Sequence, residues 1–116
     1  MIDNNYKNKI IESIESNIKV LENGIKDLET NSKSGKKLDL NFKEELLDAA
    51  NMLEIAVYRS KIYNICILHV ELKNKLQTLN MNLNTIASDA DAEEFTHILS
   101  YKIIALLTFI IDHTAR

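Results

Sequence analysis

The chain has no proline and only two glycines, Gly24 and Gly35, among its 116 residues. A β-protein of this length needs many more residues that favour tight turns, because each strand must be followed by a reversal of the chain. The scarcity of turn residues therefore predicts a few long helices joined by few loops. A chain of this length is expected to form one domain, residues 1–116, with a hydrophobic core of its own.

Apolar residues recur at intervals of three and four, which is the spacing of one face of an α-helix. Four segments with this pattern predict helices at residues 2–29, 42–59, 61–86 and 92–114. The predicted core positions are Ile2, Tyr6, Ile10, Ile14, Ile18, Leu21, Ile25 and Leu28; Phe42, Leu46, Ala49, Leu53 and Ala56; Ile62, Ile65, His69, Leu72, Leu76, Leu79, Leu83 and Ile86; and Phe95, Leu99, Leu106 and Ile110. The sequence thus predicts an all-α protein, an antiparallel bundle of three or four helices.

The number of helices depends on residues 58–61, where the apolar stripe shifts its phase by two positions. Such a shift indicates either a break in the helix or one long helix over residues 41–87 whose contact face rotates. We favour the break, although neither glycine nor proline marks its position.

Polar residues precede the second and fourth predicted helices. Asn41 can accept a hydrogen bond from the first turn of the second helix, with Glu44 three residues later as in a capping box. Asp91 and Glu94 stand in the same relation at the start of the fourth helix. The polar segment 30–37, which separates the first two helices, predicts a loop.

Composition and charge argue against several classes of protein. Apolar residues make up 46% and charged residues 27%, the balance of a folded soluble domain. The net charge of -3 argues against nonspecific nucleic-acid binding, which needs an excess of lysine and arginine. Residues 1–11 lack the features of a signal peptide, and Cys66, the single cysteine, has no partner for an intramolecular disulfide. We therefore expect a cytoplasmic protein.

The longest apolar run, residues 103–111, is too short to span a bilayer, so no membrane association is expected. Because this run is apolar on every side of a helix, the fourth helix should be surrounded. It should lie either at the centre of the bundle or against another chain.

His69 occupies a predicted core position, so we expect a buried, neutral imidazole held by one hydrogen bond. Burial should then hold its pKa below the value of about 6.5 in an unfolded chain. Arg59 lies roughly 15 Å away along a continuous helix, too far for the two side chains to act on one small group.

A hairpin of the last two helices would bring Asp112 and His113 to the level of Cys66 and His69. These four side chains could bind zinc or form a thiol–imidazole pair. Ordinary structural roles explain them better: Cys66 as a small buried hydrophobe and His113 as a cap of the last helix.

Glu94 and His97 form a Glu-x-x-His pattern, half of the ligand signature of di-iron helical bundles. That fold needs the pattern twice, and the chain has no second copy, so a dimer would have to supply it. Glu94 as a helix cap and His97 as a surface residue are the ordinary interpretation.

Acidic residues cluster at the starts of the second and fourth helices. In an up-down-up-down bundle both starts lie at the same end, which we call the acidic pole. It brings Asp39 together with seven carboxylates predicted to contact a partner: Glu44, Glu45, Asp48, Asp89, Asp91, Glu93 and Glu94. Acidic first turns also stabilise helices by themselves, and the lysines of residues 30–37 lie at the same end. Such a negative surface would attract a basic partner.

These features suggest three functions, and we expect no cofactor for the first two. The first is a small acidic protein-binding module, an inhibitor of the immunity or antitoxin type that covers the basic active site of a toxin or nuclease. The second is a structural homo-oligomer built on the last two helices. The third is the metal or thiol site at Cys66, His69 and His113. Because no complete catalytic set is present, the first two predict a protein that is not an enzyme.

Overall fold

The computed structural model describes residues 4–33, 38–65, 69–86 and 90–114. They form four helices: α1 (Asn4–Lys33), α2 (Leu40–Ile62), α3 (His69–Asn84) and α4 (Ala90–Thr114). These ranges contain no β-strand. The prediction of an all-α helical bundle is therefore confirmed, and the bundle has four helices.

The first two helices form a tight antiparallel hairpin. Gly24 of α1 lies so close to α2 that a Cβ atom there would overlap the side chain of Leu46. At the other end, the ring of Tyr6 contacts that of Tyr63 edge-to-face, with 5.2 Å between centroids. Both ends of the hairpin are thus fixed by side-chain contacts.

The helices are arranged in the cyclic order α1, α2, α4, α3, and each packs mainly against its two neighbours. Between α2 and α4, Lys102 Nζ donates to Asn51 Oδ1 at 2.9 Å, and Tyr58 contacts Phe109 edge-to-face at 4.3 Å. In both pairs the α4 residue follows the α2 residue by the same number of positions, so α2 and α4 run parallel. The bundle therefore runs up, down, up and down, as predicted.

The core consists of the predicted apolar stripes. Within the described residues, every predicted core position is buried or partly buried except Tyr6 and Ile62, which are 39% and 73% exposed. Ile2 lies outside the described residues. Ala50, Val57, Ile103 and Leu107 add to the stripes of α2 and α4. The periodicity of the sequence thus identified the core face of each helix.

The predicted break between the second and third helices is confirmed, but it lies further along the chain than expected. The helix α2 continues to Ile62, and α3 begins at His69. Asn64 adopts the left-handed conformation with φ of 62°. Its N–H donates to Lys61 O, and the N–H of Ile65 donates to Ser60 O, which is the Schellman pattern of helix termination. Ile62 is therefore the last residue of α2 and does not belong to the apolar stripe of α3.

Two predicted helix starts are wrong. The N-cap of α2 is Asp39, whose Oδ1 accepts the N–H of Asn41 at 3.3 Å, so Asn41 lies inside the first turn. The helix α4 begins at Ala90, so Asp91 also lies inside a first turn. Residues 30–33 of the predicted loop belong to α1, and residues 34–37 lie outside the described ranges.

Candidate partner-binding surfaces

The parallel arrangement of α2 and α4 places their starts at the same end, where the acidic pole was predicted. Five of the seven carboxylates predicted to contact a partner are described, and all five are exposed: Glu44, Glu45, Asp48, Glu93 and Glu94. Within the described part of the chain, none of the five forms an ion pair. Asp39 caps α2. Asp89 and the side chain of Asp91 lie outside the described residues, so their predicted places are not tested.

Three of these carboxylates line a shallow groove of about 390 Å³ between α1 and α2. Glu44, Glu45 and Asp48 form its α2 side, and Asn17 lies on its α1 side. Met52, 50% exposed, lines the same groove. The sequence analysis did not find this groove, because periodicity assigns residues to a helix face and not to a space between helices.

The outer side of α4 is apolar and uncovered. We define the α4 outer face by six exposed residues: Ile98, Tyr101, Ile104, Ala105, Thr108 and Ile111. Tyr101 is 78% exposed, whereas Leu99 and Ile103 on the core side are fully buried. The helix was expected to lie at the bundle centre or against another chain. It lies at a corner of the bundle, packed mainly against α2 and α3, so the first expectation is wrong.

A second groove, of about 530 Å³, separates α4 from α2 beside the α4 outer face. Ile98, Tyr101 and Ala105 form its apolar wall, and Glu54 and Lys102 are its charged edges. The Nζ of Lys102 is engaged by Asn51, as described above. The α4 outer face and this groove therefore form one continuous surface.

His69 is fully buried, as predicted, but it is the first residue of α3 and not the middle of a helix. Its Nε2 lies 2.9 Å from Ser60 Oγ, which is also fully buried and donates to Val57 O at 2.7 Å. No substrate can reach this Ser–His pair without displacing the core, so it links α2 to α3 structurally. Arg59 is exposed, so it does not act together with His69.

The predicted metal and thiol site remains a prediction. Cys66 and the side chain of His113 lie outside the described residues, and Asp112 is exposed. Among the residues that are described, no cluster of three His, Cys, Asp or Glu side chains could hold a metal ion. Glu94 and His97 of the Glu-x-x-His pattern both face solvent.

A hydrogen bond with Tyr6 and the electrostatic interaction with that side chain raise the pKa of Tyr63 above its usual value of 10.0, and the nearby Arg59 lowers it by less. The Tyr63 phenol therefore stays protonated at neutral pH. It stabilises the hairpin and offers no general base.

No known protein family, curated protein or solved structure matches this chain. Within the described residues, one segment of α4, Glu93–Asp112, has the length and apolar content of a membrane-crossing helix. The core helix of a soluble bundle has the same features, and 39% of this segment's apolar window is buried inside the bundle. The surfaces themselves therefore carry the argument about function.

Proposed function

We propose that this protein is a protein-binding module that recognises a basic partner through its acidic pole. The most specific form of the proposal is an inhibitor of the immunity or antitoxin type, which covers the basic active site of a toxin or nuclease. The observation that carries it is the parallel arrangement of α2 and α4, which presents five exposed carboxylates at one end of the bundle.

The carboxylates of the acidic pole are available to a partner. No ion pair between described residues engages the five exposed carboxylates, so a partner's lysines and arginines break no ion pair that the described part of the chain forms. A cluster of like charges on one surface raises the rate of encounter with an oppositely charged protein by about 10- to 1000-fold, and salt reduces this gain. The charge pattern thus favours rapid, salt-sensitive association.

Charge raises the association rate and orients the partner, whereas affinity usually rests on a few buried apolar contacts. The groove beside Glu44, Glu45 and Asp48 can supply such an apolar contact. Met52 and Val20 line it and provide apolar surface next to the carboxylates. Methionine adapts its shape to different side chains. A partner that places an apolar residue between two basic ones would fit this groove.

The scaffold behind the groove is rigid. The contact of Gly24 with Leu46 and that of Tyr6 with Tyr63 fix both ends of the α1–α2 hairpin. A preorganised surface loses little conformational entropy on binding, so more of its interaction energy appears as affinity. This property suits an inhibitor that must hold its target tightly.

The experiment compares two charge-reversal variants. In the first, Glu44, Asp48 and Glu94 of the acidic pole are changed to Lys. In the second, the matched control, Glu12, Glu15 and Glu71, which are exposed near the opposite end, are changed to Lys. Both variants change the net charge equally. A partner is first captured with the wild-type protein from native lysate, and association rates of all three proteins are then measured at low and high salt.

We expect a basic partner whose association is slowed at least tenfold at low salt by reversal at the acidic pole, and much less by the control. High salt should remove most of the difference. Equal slowing by both variants would show that net charge alone matters, and a captured partner that is acidic or insensitive to salt would contradict the proposal.

A further inference from the structure

The α4 outer face is a continuous apolar strip. Its residues recur at intervals of three and four from Ile98 to Ile111, and the large ones other than Tyr101 are between 43% and 47% exposed. The only charged residue in this stretch, Lys102, lies at the edge toward α2, bonded to Asn51. Single exposed apolar residues are normal, but a strip roughly 20 Å long, the length of 14 helical residues, marks an interaction surface.

The strip ends in two groups that can pair with each other, an imidazole that donates a hydrogen bond and a carboxylate that accepts one. His97 precedes Ile98, Asp112 follows Ile111, and both are exposed. A strip of this kind is complementary to itself when two copies lie antiparallel. In that arrangement each residue shares a layer with the residue at the same distance from the other end of the strip. His97 then lies at the level of Asp112 of the second copy, and its N–H can donate to that carboxylate.

The central apolar layers also match in size. In the same arrangement Tyr101 shares a layer with Thr108, and Ile104 shares one with Ala105. These two layers pair a large side chain with a small one, which lets the helices interdigitate there, whereas Ile98 and Ile111 contact each other at both ends of the strip. A parallel arrangement would instead set His97 against His97, Asp112 against Asp112 and Tyr101 against Tyr101.

We infer that the α4 outer face binds a second copy of this chain, with the two α4 helices antiparallel about a two-fold axis between residues 104 and 105. Such an interface is isologous, so it closes at the dimer. Because one helix pair is a small interface, the dimer should be reversible and depend on protein concentration.

Other occupants fit the strip less well. A basic partner would find no carboxylate inside it, since the acidic residues stand at its ends. A lipid surface is disfavoured because Glu93, Glu94 and Asp112 flank the strip at both ends, and the anionic leaflet repels such groups. The strip is therefore suited to an apolar surface bounded by one imidazole and one carboxylate, which is what a second copy presents.

The dimer is independent of the proposed function. Antiparallel pairing of α4 directs the two acidic poles to opposite ends of the assembly, and the groove between α1 and α2 is not part of the strip. Each copy could still bind a basic partner.

The first test is cross-linking of single cysteines after Cys66→Ala. With Ala105→Cys, two thiols lie beside the axis and should form a disulfide under mild oxidation. With Thr108→Cys, the thiols lie roughly 10 Å apart in the antiparallel pairing and should not react, because seven residues separate equivalent positions along the two helices. Met81→Cys, exposed on α3, is the control and should also remain monomeric. Reaction at Thr108→Cys would indicate a parallel pairing and overturn the inference.

The second test is sedimentation equilibrium over a range of concentrations. Wild-type protein should show a monomer–dimer equilibrium. Tyr101→Glu should raise the dissociation constant of the dimer at least tenfold, while its circular dichroism spectrum stays helical. His97→Asp should weaken the dimer, and adding Asp112→His should restore it. A wild-type protein that is monomeric at every concentration overturns the inference. So does a failure of the exchanged pair to restore the dimer. Capture of the monomer by phosphatidylserine vesicles, lost in Tyr101→Glu, would assign the strip to a membrane instead.

Discussion

His69 can be buried because a short series of hydrogen bonds connects it to the backbone. Ser60 Oγ lies between the imidazole and the carbonyl of Val57, and all of these groups are inside the core. The sequence predicted the burial from the position of His69 in an apolar stripe. It did not identify Ser60, because only the chain reversal after α2 brings residues 60 and 69 together.

We predict that His69→Leu will stabilise the protein at pH 5. Burial disfavours the imidazolium, so the pKa of His69 should lie below its unfolded value of about 6.5. The stability that this provides is present above pH 6.5 and is lost as the pH falls through the folded pKa, because the unfolded chain binds a proton that the native protein does not. Denaturant unfolding at pH 5 and pH 8 measures the effect. The free energy of unfolding of the variant, relative to that of the wild type, should rise as the pH falls. An equal difference at both pH values would contradict the prediction.

A second residue-scale prediction concerns Gly24. Alanine is favoured over glycine inside a helix by about 1 kcal/mol, but its Cβ would overlap the Leu46 side chain, which is buried. Overpacking of this kind costs about 1–3 kcal/mol, so Gly24→Ala should destabilise the protein. Leu46→Ala removes the obstacle but leaves a cavity, at a cost of about 2–5 kcal/mol.

The double variant should lose less stability than the sum of the two single losses, since the new methyl group occupies part of the cavity. A double-mutant cycle from urea unfolding measures this coupling. If the two single losses in the free energy of unfolding simply add in the double variant, residues 24 and 46 are not in contact as described.

At the scale of the helices, the sequence predicted which face of each helix is buried better than where the helices end. Periodicity averages over many residues, so one substitution hardly changes it. An end depends on one or two residues, and neighbours compete for the role. Asp39 and Asn41 are both good N-caps, and the chain uses Asp39. The end of α2 depends on Asn64 alone, because asparagine is the residue after glycine that best tolerates positive φ.

We therefore predict that Asn64→Gly will stabilise the protein by up to about 1 kcal/mol, because glycine adopts the left-handed conformation without steric cost. Asn64→Ala should destabilise it by about 1 kcal/mol, since alanine keeps the steric cost of a Cβ in this conformation but lacks the side-chain amide that can hydrogen-bond the local backbone. Asn74→Gly is the matched control: Asn74 is exposed inside α3, where glycine weakens the helix. Thermal or urea unfolding should thus show opposite signs for the two glycine variants, and equal signs would refute the role of Asn64.

At the scale of the whole molecule, the sequence predicted where the acidic residues gather but not which apolar residues remain uncovered. The acidic pole follows from the alternating direction of the helices, which short connections nearly dictate. The α4 outer face depends on the cyclic order of the helices, because only that order places α4 at a corner. No helical periodicity can reveal it, since residues 103–111 of α4 are apolar on all sides of the helix.

The two surfaces should behave independently when they are changed together. Tyr101→Glu should abolish the dimer and leave salt-sensitive binding of the basic partner unchanged. Glu44→Lys with Asp48→Lys should slow that binding and leave the dimer intact, because the residues concerned lie on different helices and in different grooves. Sedimentation and association kinetics on the same four proteins, including the combined variant, check this. Loss of both properties in either variant would indicate a single shared interface.

The alternating direction of the helices also bears on how quickly the chain folds. The largest interhelical interfaces join α1 with α2 and α3 with α4, which are neighbours in the sequence. Closing such hairpins costs little loop entropy, and proteins dominated by local contacts fold within microseconds to milliseconds. No prolyl isomerisation delays them here, since the chain contains no proline. The apolar core side of α4 should therefore spend little time in water, which protects a newly made chain from aggregation.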